Sequence, residues 1–279
     1  MDSFVTHIAG ATEDGMHGES DPEFRWLERG EGEPVVLLHG LMGRMDHWEA
    51  VLEYLGDQCR PMALSLPIFD ARLGEVSIPE LARHVARFLD ALDIPRAVVG
   101  GNSLGGHVAL ELALSCPDRV SGLILAGSSG LFERGFTRGV PRRPTAEYVR
   151  AKLEEVVYDR ALVTPSWVES VRQVANTRSC ALRLVRFAKA AKRHSIAERL
   201  PALRLPTLLV WGLNDVVTPP EVGHRFNALI AESQLWLLAR CGHVPMLERP
   251  EPFNRVVADW LELTRLARER PARLAGVGR

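Results

Sequence analysis

Val98-Val99-Gly100-Gly101-Asn102-Ser103-Leu104-Gly105-Gly106 leads from a short apolar stretch into a glycine-flanked serine and then straight into the helix-like Val108-Ala109-Leu110. Strand, sharp turn and helix follow one another with no linker. The spacing Gly101-x-Ser103-x-Gly105 is that of a nucleophile elbow: the glycines let two backbone segments approach closely while the serine is held strained, with its Oγ clear of the sheet. Because a helix begins at the next residue, the amide of Leu104 is expected at a helix N-terminus, where free N–H groups and the helix dipole favour a developing oxyanion.

Upstream, Val35-Val36-Leu37-Leu38 is the continuous apolar run of a strand covered on both faces, and it ends in His39-Gly40-Leu41. A glycine turn at that end is the place for a second oxyanion donor, the amide of Leu41. His39, just inside the strand end, reads as a brace for this loop rather than as a general base. Trp48, Val51, Leu52 and Leu55 recur at helical spacing, and Met62 to Leu66 gives another strand. Ser77 then caps a helix bearing Leu81, Val85, Phe88 and Leu89.

Downstream, Cys116-Pro117 stops the helix after the elbow and Val120 to Ala126 supplies a further strand. Repeated strand-helix-strand units imply right-handed crossovers and a doubly wound parallel sheet. Residues 131–200 break this rhythm with three helix-like stretches around Ala146–Val157, Ser166–Ala175 and Cys180–Ala191, which read as a helical cap inserted after the sixth strand. Strands resume at Thr207–Trp211 and Leu235–Leu238, with helices from Pro219 and over Phe253–Ala267. Residues 1–130 and 201–279 therefore form an α/β core, with 1–23 and 268–279 expected to be loose.

The chain has 279 residues, 46% hydrophobic and 25% charged, which is enough to bury a large core, and its net charge of -1 gives no global field toward nucleic acid. The four cysteines show no metal-ligand spacing, so no metal is expected. No segment approaches the length of a bilayer span and the start lacks a signal pattern, so a cytoplasmic protein is expected, monomeric or dimeric. Charge is nonetheless uneven: residues 131–200 hold fifteen Lys or Arg against seven Asp or Glu, net +8, while the remainder sums to -9. A basic cap of this kind would steer anionic substrates or meet anionic lipid surfaces.

A serine nucleophile needs a base and an acid to orient it, and in open α/β sheets such groups gather at the carboxyl ends of strands. Asp215 lies on the Gly212-Leu213-Asn214 turn after one strand and His243 on the Cys241-Gly242 turn after the next, which gives the chain order Ser103, Asp215, His243. His107 and His224 are the rival bases and Asp70 the rival acid.

These stretches together, with Glu248-Arg249-Pro250-Glu251 beyond Gly242-His243, resemble the α/β-hydrolase superfamily over roughly residues 24 to 265. The resemblance implies a mostly parallel eight-stranded sheet flanked by helices under a helical cap, with no cofactor. The nearest branch in pattern is that of small esterases and their relatives that hydrolyse carbon–carbon bonds in ring-cleavage products. Two departures stand out. Ser65-Leu66-Pro67-Ile68-Phe69-Asp70 replaces the Asp-x-x-Gly-x-Gly turn of many relatives. Val244 and the Met45-Asp46-His47-Trp48 stretch stand where the carbon–carbon hydrolases tend to carry a tryptophan and an asparagine. Hydrolysis of a small-molecule carboxylic ester is therefore the expected activity, with anionic esters among the expected substrates. Carbon–carbon hydrolysis and a slow-turnover ligand receptor are the alternatives.

Overall fold

The computed structural model describes residues 5–9, 23–70, 72–133, 141 and 143–274. Eight strands form one sheet: β1 (Val5–Ala9), β2 (Phe24–Glu28), β3 (Pro34–Leu38), β4 (Arg60–Leu64), β5 (Ala97–Asn102), β6 (Val120–Ala126), β7 (Thr207–Gly212) and β8 (Ser233–Leu238). Their order across the sheet is β1-β2-β4-β3-β5-β6-β7-β8. β2 lies antiparallel to both β1 and β4, and every other neighbouring pair is parallel. The helices between and after them are α1 (Glu49–Leu55), α2 (Ile78–Ala91), α3 (Leu104–Ser115), α4 (Ala146–Val156), α5 (Pro165–Asn176), α6 (Arg178–Arg193), α7 (Pro220–Leu229), α8 (Pro245–Glu248) and α9 (Pro250–Leu274).

The period of two along a strand divides the apolar residues between two cores. Val36 and Leu38 point to one face, where they pack with α2, α3 and α7 through residues such as Phe88, Val108 and Phe226. Val35 and Leu37 point to the other, against α1 and α9 through Leu52, Phe253 and Trp260. The inserted helices divide likewise: Phe187 of α6 joins the first core, Val149 of α4 and Val168 of α5 the second.

This topology creates the crevice. From β3 the chain passes through α1 to β4 on one side, then returns through α2 to β5 on the other, so the crossovers diverge between β3 and β5. In an open α/β sheet such a switch point is where ligands gather, at the carboxyl ends of the strands. Leu38 pairs with Gly101 at that end, which sets His39-Gly40-Leu41 beside Ser103.

Three expectations are corrected. Residues 5–9, expected to be loose, form the edge strand β1, with His7 stacked on Trp26 at 5.1 Å. The last helix runs to Leu274 rather than ending at Ala267, because Arg268 donates to the Ser121 carbonyl at 2.9 Å and pairs with Glu33. The strand expected from Met62 to Leu66 is β4, ending at Leu64, since the Leu66 amide turns to donate to the His39 ring at 3.0 Å. Of the tails expected to be loose, 1–4, 10–22 and 275–279 lie outside the described residues.

The β5–α3 turn leaves no room for a side chain: a Cβ on Gly105 would stand 2.2 Å from the Leu38 carbonyl oxygen, and one on Gly101 2.2 Å from the Gly105 carbonyl carbon. Neither neighbour is a side chain that can swing away. Gly105→Ala is expected to cost about 3 kcal/mol or more and to lower Tm by about 6 °C or more in calorimetry. Gly74→Ala, where nothing lies within 4 Å, should move Tm by less than about 2 °C. Equal effects would refute the close-approach reading.

Candidate active site

Ser103 sits at φ 54°, ψ -117°, a left-handed conformation rare outside glycine and costing about 1–3 kcal/mol. Its surroundings over-determine it: the Ser103 amide donates to the Ala126 carbonyl at 3.1 Å, and its carbonyl accepts from the amides of Ser129 at 3.1 Å and His107 at 3.2 Å. Leu104 opens α3. Leu41 follows Gly40 on a turn closed by the Gly43 amide donating to the Gly40 carbonyl at 2.9 Å. Neither the Leu41 nor the Leu104 amide has an acceptor among the described residues. Gly40 backs directly onto the serine, for a Cβ there would lie 3.4 Å from Ser103 Cβ.

Asp215 and His243 are brought together from consecutive strand ends. Asp215 Oδ2 accepts from His243 Nδ1 at 2.8 Å, and both residues are buried. The rest of the carboxylate is satisfied too: Oδ1 accepts from the amides of Val217 at 2.8 Å and Thr218 at 2.9 Å, and Oδ2 lies 2.9 Å from the Thr218 hydroxyl. Every oxygen of this buried carboxylate thus has a donor, as burial of a polar group requires. With Nδ1 committed to Asp215, Nε2 is the ring nitrogen left to take a proton. Asn102, next to the serine, donates to the carbonyls of His243 at 2.8 Å and Ala126 at 2.9 Å, so the Ser103 turn and the His243 loop share one side chain.

Two opposed influences set the basicity of His243. Burial is the largest and disfavours the imidazolium. The charge of Asp215, its hydrogen bond and the more distant Glu133 and Glu248 together outweigh it, so the pKa lies above the ordinary 6.5.

His39 uses both ring nitrogens in bracing. Nε2 accepts from the Leu66 amide at 3.0 Å, which fixes the proton on Nδ1 and lets that nitrogen donate to the Gly40 carbonyl at 2.8 Å. Burial lowers its pKa. The rivals lie elsewhere: Asp70 is bound to Arg72 at 2.6 Å, His224 is exposed, and His107 is buried against His194 at 3.1 Å.

Sequence reasoning missed Thr218 and the part played by Glu248. The Glu248 carboxylate accepts from the amides of Gly242 at 2.9 Å, Val244 at 3.2 Å and Tyr158 at 2.6 Å, while the His243 amide donates to the Val156 carbonyl at 2.9 Å. The histidine loop is thus tied to the segment leaving α4. The available signal was Glu248 itself, a carboxylate a few residues past a glycine turn whose amides need acceptors. Thr218 had a weaker one, its place three residues after an aspartate.

Beside the Gly40–Gly43 turn lies a cavity of about 470 Å³, roofed by Val171 and Val174 of α5 and Leu184 of α6 and lined below by His39, Asp46 and Glu49. Among the described residues its one lining cation, Arg44, is paired with Asp46 at 2.5 Å. The Glu49 carboxyl is raised by partial burial and by the charge of Asp46. Among the described residues no group of three or more His, Cys, Asp or Glu could hold a metal, and no helix is long and apolar enough to cross a membrane.

Residues 35–256 match the model of the Alpha/beta hydrolase family. The chain is 30% identical over 273 residues to the 2-hydroxy-6-oxo-2,4-heptadienoate hydrolase of Pseudomonas putida, covering 91% of this chain and 94% of the relative. Among solved structures it is similar to the meta-cleavage product hydrolase of Pseudomonas fluorescens IP01, at 28% identity and TM-score 0.75, with 86% of this chain and 94% of that one covered. It is also similar to a thermophilic esterase from Thermogutta terrifontis, at 26% identity and TM-score 0.71, with 94% and 99% covered.

A base must be neutral to accept a proton, so kcat/KM should rise with pH and reach half its plateau above 6.5, following the raised pKa of His243. Because the Glu248 charge contributes to that rise, Glu248→Gln should move the midpoint to lower pH while reducing the plateau by about three- to tenfold through a looser loop. An unmoved or upward-moved midpoint would contradict this electrostatic reading.

Proposed function

The chain belongs to the alpha/beta hydrolase family and is a hydrolase, and from that premise we propose that it cleaves carboxylic esters of small molecules by acyl transfer to Ser103. The observation carrying this reading is the Asp215–His243 pair at 2.8 Å, held by Asn102 to the strained turn that bears the serine. In the proposed reaction the Ser103 Oγ attacks the acyl carbon as His243 Nε2 takes its proton, and the amides of Leu41 and Leu104 hold the oxyanion. His243 then protonates the departing alkoxide. The acyl-enzyme is released by a water that gives its proton to the same nitrogen, and Asp215 keeps the ring in one tautomer throughout. Residues 131–200 act as a cap over the cavity.

Two features favour an ester over the carbon–carbon substrates in the relatives' names. Val244 follows His243 in place of the tryptophan of that branch. Among the described residues the cavity lining is net negative, with Arg44 already neutralised by Asp46 and Glu49 in excess, which disfavours a substrate bearing its own carboxylate as a dienoate does. The same lining argues against the anionic small substrate expected from the charge of residues 131–200. Carbon–carbon hydrolysis is the second reading, favoured by the named activity of relatives such as the heptadienoate hydrolase.

Ser103→Ala and His243→Ala are each expected to lower kcat by about 10⁴-fold or more with folding intact, because such residues act as a unit, and Asp215→Asn should be severely impaired. Assay of neutral nitrophenyl esters of graded acyl length beside a 2-hydroxy-6-oxo-dienoate decides between the readings. Higher kcat/KM on an ester supports the proposal. Faster turnover of the dienoate replaces it with the second reading.

A further inference from the structure

Helix α6 carries Arg178, Arg183, Arg186, Lys189, Lys192 and Arg193, and no acidic residue. Arg183 alone turns inward, donating from Nε to the Ile68 carbonyl at 2.9 Å and lying 5.9 Å over the Phe187 ring. The other five are exposed, and none has an ion-pair or hydrogen-bond partner among the described residues. Several cations on the other helices are paired within their own helix: Lys152 with Glu155, Arg172 with Glu169, Arg255 with Glu251 and Arg265 with Glu262, each three or four residues away. Helix α6 keeps like charges three and four apart, which repel, with nothing to offset them.

Arg178, Leu182, Arg186, Lys189 and Arg193 follow at intervals of four, four, three and four, so they share one face, with Lys192 on its flank. Leu182, in the midst of these cations, is 51% exposed. The opposite face carries Leu184 into the cavity and Phe187 and Ala191 into the core. The cationic ridge therefore points away from the cavity and offers no enclosed pocket for a small anion. It is about 24 Å long, the length of a 16-residue helix. What complements such a ridge is an extended anionic surface that also tolerates a leucine.

We propose that the outer face of α6 docks the protein on the surface of a bilayer containing anionic phospholipid. Basic residues bind the headgroup layer, Leu182 enters its apolar margin, and the acidic residues 1–130 and 201–279, net -9, stay turned away. The cavity roofed by α5 and α6 then lies close to the interface. The inference does not depend on which bond the site cleaves.

Co-sedimentation of the full chain with vesicles tests it. Vesicles of phosphatidylcholine with about 30% phosphatidylglycerol should bind at least about tenfold more tightly than phosphatidylcholine alone. Binding should weaken as salt rises from about 0.05 M to about 0.3 M. Combined R186E, K189E, K192E and R193E should abolish binding with the circular dichroism spectrum and thermal unfolding midpoint intact, and Leu182→Ser should weaken it severalfold. Equal sedimentation with the two vesicle types, retention by the charge-reversed variant, or tighter binding to duplex DNA than to anionic vesicles would overturn the proposal.

Discussion

Between β5 and α3 the chain reverses in a space that admits no Cβ on either flank of Ser103, and the serine itself is held at positive φ. The local strain, about 1–3 kcal/mol, is small beside what surrounds it, since each large apolar side chain fully buried against the sheet contributes about 1.5–3 kcal/mol. Val98, Val99, Val108 and Leu110, all fully buried, anchor both arms of the turn. The turn cannot relax without pulling one of those arms out of the core. The switch point between β3 and β5 then brings the Gly40–Leu41 turn up to the serine from the neighbouring strand.

The second constraint is electrostatic. Asp215 and His243 are both buried, where an unpaired charge is expensive, yet the carboxylate meets two backbone amides, the Thr218 hydroxyl and the imidazole. This arrangement favours the imidazolium more than burial penalises it, which suits a group that gains a proton during a reaction and loses it again. Glu248 extends the same logic outward, since its charge reaches His243 and its oxygens hold the amides on either side of it.

Much of this was legible in the sequence because the signals were local. Continuous apolar runs marked the buried strands, glycine spacing marked the β5–α3 turn, and strand ends placed Asp215 and His243 on adjacent loops, where the structure brings them into contact. What escaped depends on partners distant in sequence. β1 is five residues long and carries polar Thr6 and His7, so nothing in its pattern distinguished it from a loop until β2 supplied its hydrogen bonds. The last turns of α9 are held by Arg268, whose acceptor, the Ser121 carbonyl, lies 147 residues away. Thr218 is an ordinary turn residue until the fold sets its hydroxyl 3.1 Å from the Gly127 carbonyl and beside Asp215. The charge excess of residues 131–200 was visible in composition, but its outward direction followed only once α6 had buried Phe187 and Ala191.

Whether Ser103 is a nucleophile activated by its setting, rather than a turn residue, is read most directly by covalent capture. Intact-mass and peptide mass spectrometry after treatment with a fluorophosphonate should show one adduct, on Ser103, with labelling lost in His243→Ala and abolished in Ser103→Ala. An unmodified protein, or an adduct on any other residue, would contradict it.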